Sequence, residues 1–377
     1  MKFGIPREIT KGETRVAVIP SMISSLTRNN HEVFIESGAG TAASFSDDQY
    51  KEAGAQICKN SAELYKAADV IIKVQVPQPQ EVEMIKNGGH LISYLAPFNN
   101  LDVIQKLADR KITSFAMEFI PRITRAQSMD SLSSMATLAG YKAVLLAANH
   151  LGKIFPLMMT AAGTIPPAGV FVLGAGVAGL QAIATAKRLG AKVEAFDPRA
   201  AVREQVQSLG AQFVEMEMPE DAETSGGYAK EQSDEFLKKE QEAIGARLPK
   251  IDAVITTAQI FGKKAPILIT EEMVKMMKPG SVIIDLAAEQ GGNCELTQAD
   301  KIIEKNGVII NGTVNLPATL PVHASQMYSK NITNLLKHLY QNEQFDFDDE
   351  ITKGACITHD GNILNDAIAK AVTSGGK

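Results

Sequence analysis

The chain has 377 residues, 45% of them apolar and 21% charged, with a formal net charge of −5. That length accommodates two domains with separate cores, and a slightly acidic chain without a basic cluster lacks the electrostatic footprint of a nucleic-acid binder. Cys58, Cys294 and Cys356 lie far apart with no Cys-x-x-Cys and no nearby histidine pair, so neither a disulfide framework nor a metal site is expected.

The N-terminal Met1 to Glu13 is polar from its sixth residue and lacks the apolar stretch of a signal peptide, which predicts a cytoplasmic protein. Strands are expected near Lys2–Ile5, Glu32–Glu36, Val70–Lys73, His90–Ser93 and Thr113–Ala116, separated by helical stretches. This α/β domain carries no glycine fingerprint and is not expected to bind a dinucleotide alone. Ser128 to Leu151 predicts a long bridging helix. The following stretch, Ile154 to Ala186, has no charged residue or histidine for 33 positions, and hydropathy alone would make it a membrane span. Pro156, Gly163, Pro166, Pro167 and Gly169 break any such helix, so we expect an extended or hairpin segment there and no transmembrane segment. Leu157, Met158 and Met159 within it read as core or as a dimer contact.

Val170–Leu173 reads as a buried strand that runs into Gly174-Ala175-Gly176-Val177-Ala178-Gly179, and Asp197 closes the next strand. One glycine permits the tight turn, a second lets a pyrophosphate approach the backbone, and a third lets helix pack on strand. The free N–H groups at the start of a helix over Val177–Leu189, which ends at Gly190, would then hold phosphate. Asp197 is placed to accept the adenosine ribose hydroxyls and to repel a 2′-phosphate, which favours NAD(H) over NADP(H). Arg199 is either a receiver for a 2′-phosphate or a solvated or helix-capping charge.

Beyond the turn, strands are expected at Lys192–Phe196, Gln212–Val214, Ala253–Thr256, Ser281–Asp285 and Val308–Ile310, with helices near Ala201–Leu209 and Glu271–Met277. With Val170–Leu173 these make six parallel strands. The polar insertion Met216 to Lys250, with Ser225-Gly226-Gly227-Tyr228, reads as a mobile flap or a solvated helical hairpin. A helix over Ser325–Tyr340 returns the chain to the first domain, and the tail with Asp346–Glu350 and His359-Asp360-Gly361-Asn362 completes it as an irregular or hairpin segment. The fold class is α/β: two doubly wound domains, the second a Rossmann dinucleotide-binding fold, joined by long helices. Their expected extents are 1–127 plus 325–377, and 128–324, with the reaction site in the cleft between them. Thr256, Thr257 and Asn315 follow apolar strands and either contact the nicotinamide ribose or act as caps. No histidine has metal-like spacing.

Four further runs complete the pattern: Pro121-Arg122-Ile123-Thr124-Arg125-Ala126-Gln127-Ser128-Met129-Asp130-Ser131-Leu132-Ser133-Ser134, Asp197-Pro198-Arg199-Ala200, Glu223-Thr224-Ser225-Gly226-Gly227-Tyr228-Ala229-Lys230, and Asp285-Leu286-Ala287-Ala288-Glu289-Gln290-Gly291-Gly292-Asn293. With the glycine turn they resemble the NAD(H)-binding component of proton-translocating nicotinamide nucleotide transhydrogenase, over almost the whole chain. The resemblance implies that Arg122, Gln127, Asp130 and Ser133 orient the nicotinamide end of NAD(H), and that Tyr228 closes over the bound nucleotide. Val177, Ala178, Pro198 and Glu289 join the cofactor-contacting set. Asp130 and Ser133 lie one helical turn apart and suit a carboxamide; capping of the bridging helix by Ser128 and Asp130 is the structural alternative. The resemblance further implies a homodimer, peripheral on the cytoplasmic face of an inner membrane. Its partners would be membrane-embedded subunits, including one that binds NADP(H), and the chain itself would have no span.

The related alanine dehydrogenases share a Thr-Arg-Val-Ala-like run, here Thr14-Arg15-Val16-Ala17, and a lysine after an apolar strand, here Lys73. Their acid/base histidine follows a Tyr-Leu pair, but Tyr94-Leu95 is followed here by Ala96. Oxidative deamination needs proton transfer, whereas hydride transfer between two nicotinamides needs only two rings held close. An alanine-dehydrogenase-like oxidoreductase and a non-catalytic NAD(H)-binding regulator remain the alternatives.

Overall fold

The computed structural model describes residues 1–28, 31–216, 234–259, 263–341 and 345–374. They form two compact units, Met1–Met135 with Pro317–Lys377, and Ala136–Leu316. In chain order the strands are β1 Lys2–Ile5, β2 Glu32–Glu36, β3 Gln56–Cys58, β4 Val70–Ile72, β5 His90–Ser93, β6 Thr113–Ala116, β7 Met158–Thr160, β8 Gly163–Ile165, β9 Gly169–Leu173, β10 Lys192–Phe196, β11 Gln212–Phe213, β12 Ala253–Thr256, β13 Val282–Asp285, β14 Ile302–Lys305, β15 Val308–Asn311, β16 Cys356–His359 and β17 Asn362–Ile363.

The sheet of the first unit has the order β17-β16-β6-β5-β4-β1-β2-β3. Strands β1 to β6 pair in parallel. Parallel strands are covered on both faces and therefore read as continuous apolar runs, and Val70, Ile71 and Ile72 of β4 are all buried. The tail adds β16 and β17 antiparallel at the edge, as a hairpin through Asp360 and Gly361, both at positive φ. The short β3 carries Gln56 at an exposed edge position and falls outside the sequence expectation.

The second unit is a doubly wound sheet ordered β11-β10-β9-β12-β13-β15-β14. The expected α/β class with a Rossmann-type second domain is borne out. One detail differs: six strands are parallel as expected, and a seventh, β14, pairs antiparallel with β15. The turn between them is Asn306-Gly307, with φ of +53° and +74°, the backbone of a two-residue hairpin turn. Strand order reverses around β9, which has β10 on one side and β12 on the other. This is the switch point where open α/β sheets receive ligands.

Hairpin β7–β8 belongs to neither sheet, and all six of its strand residues are exposed. Leu157 and Met159 are 55% and 75% exposed, so the core reading of this apolar cluster does not hold.

Among the described residues one helix, Ser131–His150, is long and apolar enough to cross a membrane. Its Ala143, Val144 and Ala147 are buried in the core of the second unit with Val170 and Val172 of β9. A Cβ at Gly140 would stand 2.1 Å from the backbone oxygen of Ala178, so this helix touches the start of the helix Val177–Arg188 backbone to backbone. Gly140→Ala should therefore force the two helices apart and cost about 2 kcal/mol or more in urea unfolding; unchanged stability would show that the contact is loose.

Candidate nucleotide site

The chain leaves β9 through Gly174, whose φ is +95°, and a side chain there would meet the Thr257 hydroxyl at 2.5 Å. A Cβ on Gly179 would lie 1.9 Å from the Gly174 carbonyl oxygen. Both glycines are required by the fold itself. Gly176 is different: a Cβ there meets nothing nearer than Arg199 Nη2 at 3.9 Å. The space above it is open, as a backbone that must admit a ligand requires. Gly176 is also the N-cap of the helix Val177–Arg188 and offers no side-chain acceptor. The first-turn N–H groups of Val177, Ala178 and Gly179 thus have no intrahelical acceptor and suit an anionic pyrophosphate.

Asp197 follows β10 and is nearly buried, with 3% of its surface exposed. Its Oδ2 accepts the Ala175 N–H at 2.7 Å and Arg199 Nη2 at 2.8 Å, while Oδ1 accepts the backbone N–H and Nε of Arg199, both at 2.9 Å. The carboxylate therefore pins the glycine turn, and a ribose diol that reaches it shares it with Arg199. Arg199 is not a solvated charge; it stands at the N-cap of the 3₁₀ turn Ala200–Val202, but its side chain makes no capping bond there. It folds back onto Asp197 because a carboxylate two residues away in a loop offers a bidentate partner. Pro198 sits between them.

Glu240 was not anticipated. It lies on the helix Asp234–Gly245 and is 4% exposed. Burial first, then the charge of Asp197, push its carboxyl up to about 7. A carboxyl raised in the folded state from an unfolded value near 4.5 favours folding fully below that value, and this contribution is lost as pH rises through about 7. Glu240→Gln should therefore melt above the parent protein at pH 8, by up to about 3 kcal/mol, with the gap closing toward pH 5. Parallel melting curves at both pH values would refute the raised carboxyl.

On the opposite side of β9, the hydroxyls of Thr256 and Thr257 are both engaged within the fold. Thr256 donates to Asp285 Oδ1 at 2.8 Å and Thr257 to the Gly174 carbonyl at 3.1 Å. Asp285 also accepts the N–H groups of Ala287, Asn293 and Cys294 and the hydroxyl of Thr297. It thereby shapes the loop that presents Glu289. Glu289 Oε1 accepts the N–H of Asn315 at 3.1 Å, so these two residues, 26 apart in sequence, stand together. Asn315 has φ of +49°, a backbone state asparagine tolerates. Asn293 closes the same loop, accepting the Ala258 N–H and donating to the carbonyls of Ala258 and Pro266.

In the first unit, Arg122, Gln127, Asp130 and Ser133 line one pocket of about 290 Å³ with Pro121, Ile123 and Thr124. The loop leaves β6, makes the 3₁₀ turn Thr124–Met129 and ends where Ser131–His150 begins. Asp130 caps that helix: Oδ1 accepts the Ser133 N–H at 2.9 Å and Oδ2 accepts the Ser133 hydroxyl at 2.6 Å. Capping and a site role thus coincide in one carboxylate. Ser128 does not cap; its carbonyl accepts the amides of Asn331 and Asn334. Arg122 and Gln127 are exposed. Tyr228 and the run Glu223 to Lys230 lie outside the described residues.

Arg15 and Lys73 are both buried and paired. Arg15 bonds Glu13 at 2.6 Å, and Lys73 bonds Glu81 at 2.8 Å and Glu8 at 3.2 Å. Ala96 takes a left-handed conformation, φ +40°, with its N–H and that of Leu95 donated to Glu118 Oε1.

A doubly wound sheet with a glycine turn at its switch point and a carboxylate closing the next strand defines a dinucleotide-binding protein. Residues 4–139 match the N-terminal domain, and residues 143–366 the C-terminal domain, of the alanine dehydrogenase/PNT family. The chain belongs to that family, and the resemblance read from its motifs is borne out. It is 50% identical to the first portion of the NAD(P) transhydrogenase alpha subunit of Rhodospirillum rubrum, over 98% of this chain and 99% of the relative. A crystal structure of transhydrogenase from Sinorhizobium meliloti superimposes with a TM-score of 0.88 at 43% identity, covering 96% of this chain and all of that one. Alanine dehydrogenase 2 of Staphylococcus aureus is more distant, at 34% identity over 98% of this chain and 96% of its own length.

Proposed function

We propose that this chain is the NAD(H)-binding component of a proton-translocating transhydrogenase, and that hydride passes directly between NADH held here and NADP⁺ held by a partner subunit. The observation that carries this reading is the pocket shared by Arg122, Gln127, Asp130 and Ser133, whose lining includes no histidine, lysine or cysteine. Such a lining can orient a carboxamide without offering it a neutral-pH proton shuttle.

When bound, NADH supplies the hydride. The chain's own residues do the positioning. First-turn N–H groups of the helix Val177–Arg188 hold the pyrophosphate over Gly176. Asp197 meets the adenosine ribose and disfavours a 2′-phosphate, with the Arg199 charge already paired to it. Asp130 and Ser133 present acceptor oxygens to the carboxamide NH₂, while Arg122 and Gln127 supply donors to its oxygen. Thr256, Thr257, Glu289 and Asn315 border the nicotinamide ribose, and Tyr228 covers the nucleotide.

The partners in this reading are membrane-embedded subunits that carry the proton path and the NADP(H) component. The chain works as a homodimer on the cytoplasmic face of the inner membrane. The exposed hairpin β7–β8 supports self-association, because an isolated two-stranded ribbon is marginal in water without something to pack on. Met159→Glu should then sediment as a monomer where the parent is a dimer; a variant that stays dimeric places the interface elsewhere.

An alanine-dehydrogenase-like activity is disfavoured by Ala96, which offers no group for proton transfer. It would show itself as NADH oxidation with pyruvate and ammonia. The decisive assay mixes the protein with an NADP(H)-loaded partner and follows hydride transfer at saturating nucleotide. Gln127→Asn and Asp130→Asn should each slow transfer by about tenfold or more. Asn caps a helix as well as Asp, so Asp130→Asn should melt within about 1 kcal/mol of the parent, separating the cap from the site. Full rates in both variants would remove the loop from the site; no transfer by the parent would leave a nucleotide-binding regulator.

A further inference from the structure

Strands β1, β2, β5 and β6 run parallel, so they begin at one edge of the first unit's sheet, and the antiparallel β16 ends there. Met1, His31, His90 and His359 therefore gather at that amino edge, beside Tyr340 at the end of the helix Pro321–Leu339. They border a cavity of about 1090 Å³, at the upper end of the range of small-molecule sites. The loop from Arg122 to Ser133 leaves β6 at the opposite, carboxyl edge. The cavity thus stands apart from the candidate nucleotide site.

Its walls are ring faces. Phe345 packs on His90 at 5.1 Å between centroids, on Tyr340 at 5.6 Å and on Phe347 at 6.1 Å, and Phe347 packs on His359 at 4.7 Å. All five rings are only partly buried, so aromatic surface stays open to the cavity. Polar edges lie among the faces. His90 Nδ1 and the Tyr340 hydroxyl share a hydrogen bond of 2.8 Å. Among the described residues the His90 ring has no other hydrogen-bond partner, which leaves Nε2 for a ligand: a donor when Tyr340 donates to Nδ1, an acceptor in the other tautomer. Burial, then the charge of His359, holds His90 down at about 4, and burial, then the N-terminal ammonium, lowers His31. Both rings are uncharged at neutral pH. Among the described residues the lining has no lysine or arginine, and the Met1 ammonium balances the one carboxylate, Asp360. An uncharged ligand suits such a lining better than a phosphate or a quaternary ammonium. Nor do the imidazoles converge as metal ligands, since no cluster among the described residues has that geometry.

We propose that this cavity is a binding site for uncharged planar heteroaromatic rings of purine size, laid against Phe345, Phe347 and His359 with a nitrogen-bearing edge toward His90. A purine joins a flat face, which phenylalanine and histidine rings stack on, to donors and acceptors in its own plane. The volume leaves room for an attached ribose, and the lack of a cationic side chain selects a nucleoside over a nucleotide.

The test is an adenosine titration of the full chain, followed by NMR of ring-labelled histidines assigned through single His→Gln variants. The His90 and His359 signals should shift saturably. His150, His323 and His338 do not line the cavity and serve as internal controls. Phe347→Ala should raise the half-saturating adenosine concentration about tenfold, the share carried by stacking on one aromatic face. If that variant folds poorly, Phe347→Leu keeps apolar volume, loses the flat face and should show the same shift in midpoint. Choline chloride and inorganic phosphate should move neither His90 nor His359. Unmoved cavity histidines, an unchanged midpoint in the folded Phe347 variant, or equal shifts with choline or phosphate would overturn the proposal.

Discussion

At the end of β9 the Gly179 backbone approaches the Gly174 carbonyl so closely that a Cβ would sit 1.9 Å from the oxygen, and the geometry of the second unit depends on that contact. It sets where the helix Val177–Arg188 starts and aims its unsatisfied N–H groups past the sheet edge. Asp197 then fixes the turn from one side through the Ala175 N–H, and Thr257 from the other through the Gly174 carbonyl. A charge or dipole is useful in binding only if it does not have to be reorganised, and this crossing of backbones provides that rigidity. Gly176, which nothing in the fold compels to be glycine, is the one glycine of the turn with open space where a side chain would stand.

The carboxylates around the candidate sites divide into two kinds. Asp285, Asp130 and Asp197 are each held by two or more N–H or O–H donors, and each fixes a loop that carries candidate site residues. Glu240 and Glu118 are instead pushed toward the neutral form chiefly by burial. Glu118 keeps one oxygen buried without a hydrogen-bond partner while the other holds the backbone at Leu95 and Ala96. The first kind fixes loop geometry through hydrogen bonds. The second ties local structure to proton concentration, and Glu240 does so beside the carboxylate expected to meet the ribose.

Much of this architecture was legible in the sequence, because parallel strands buried on both faces leave continuous apolar runs and the glycine turn sits between such a strand and a helix. The tail hairpin was readable from Asp360-Gly361. The same kind of dipeptide, Asn306-Gly307, marks the antiparallel edge strand β14, and it escaped notice because Ile302–Lys305 carries two charged residues and is mostly exposed. At the sites, chain order was the limit. The loop from Arg122 to Ser133 was singled out by family resemblance, and its residues share one pocket because they are local to one turn and one helix start. The Asp197–Arg199 clasp and the Glu289–Asn315 contact depend on side-chain rotamers and tertiary approach that spacing does not encode. Glu240 had a partial sign: it shares the apolar spacing of Leu237 and Ile244 on a helix that otherwise reads as solvated.

The paired cations of the first unit bear on how this scaffold changes over evolutionary time. Arg15 is paired with Glu13, and Lys73 with Glu8 and Glu81, all within their own unit and all nearly removed from solvent. Removing Glu13 takes from the desolvated Arg15 its carboxylate partner, at a cost of about 3–5 kcal/mol, a large share of a domain's total stability. Acid and cation here can therefore be exchanged only in concert, so the tightest ion pairs of the unit are also the positions least able to vary one at a time.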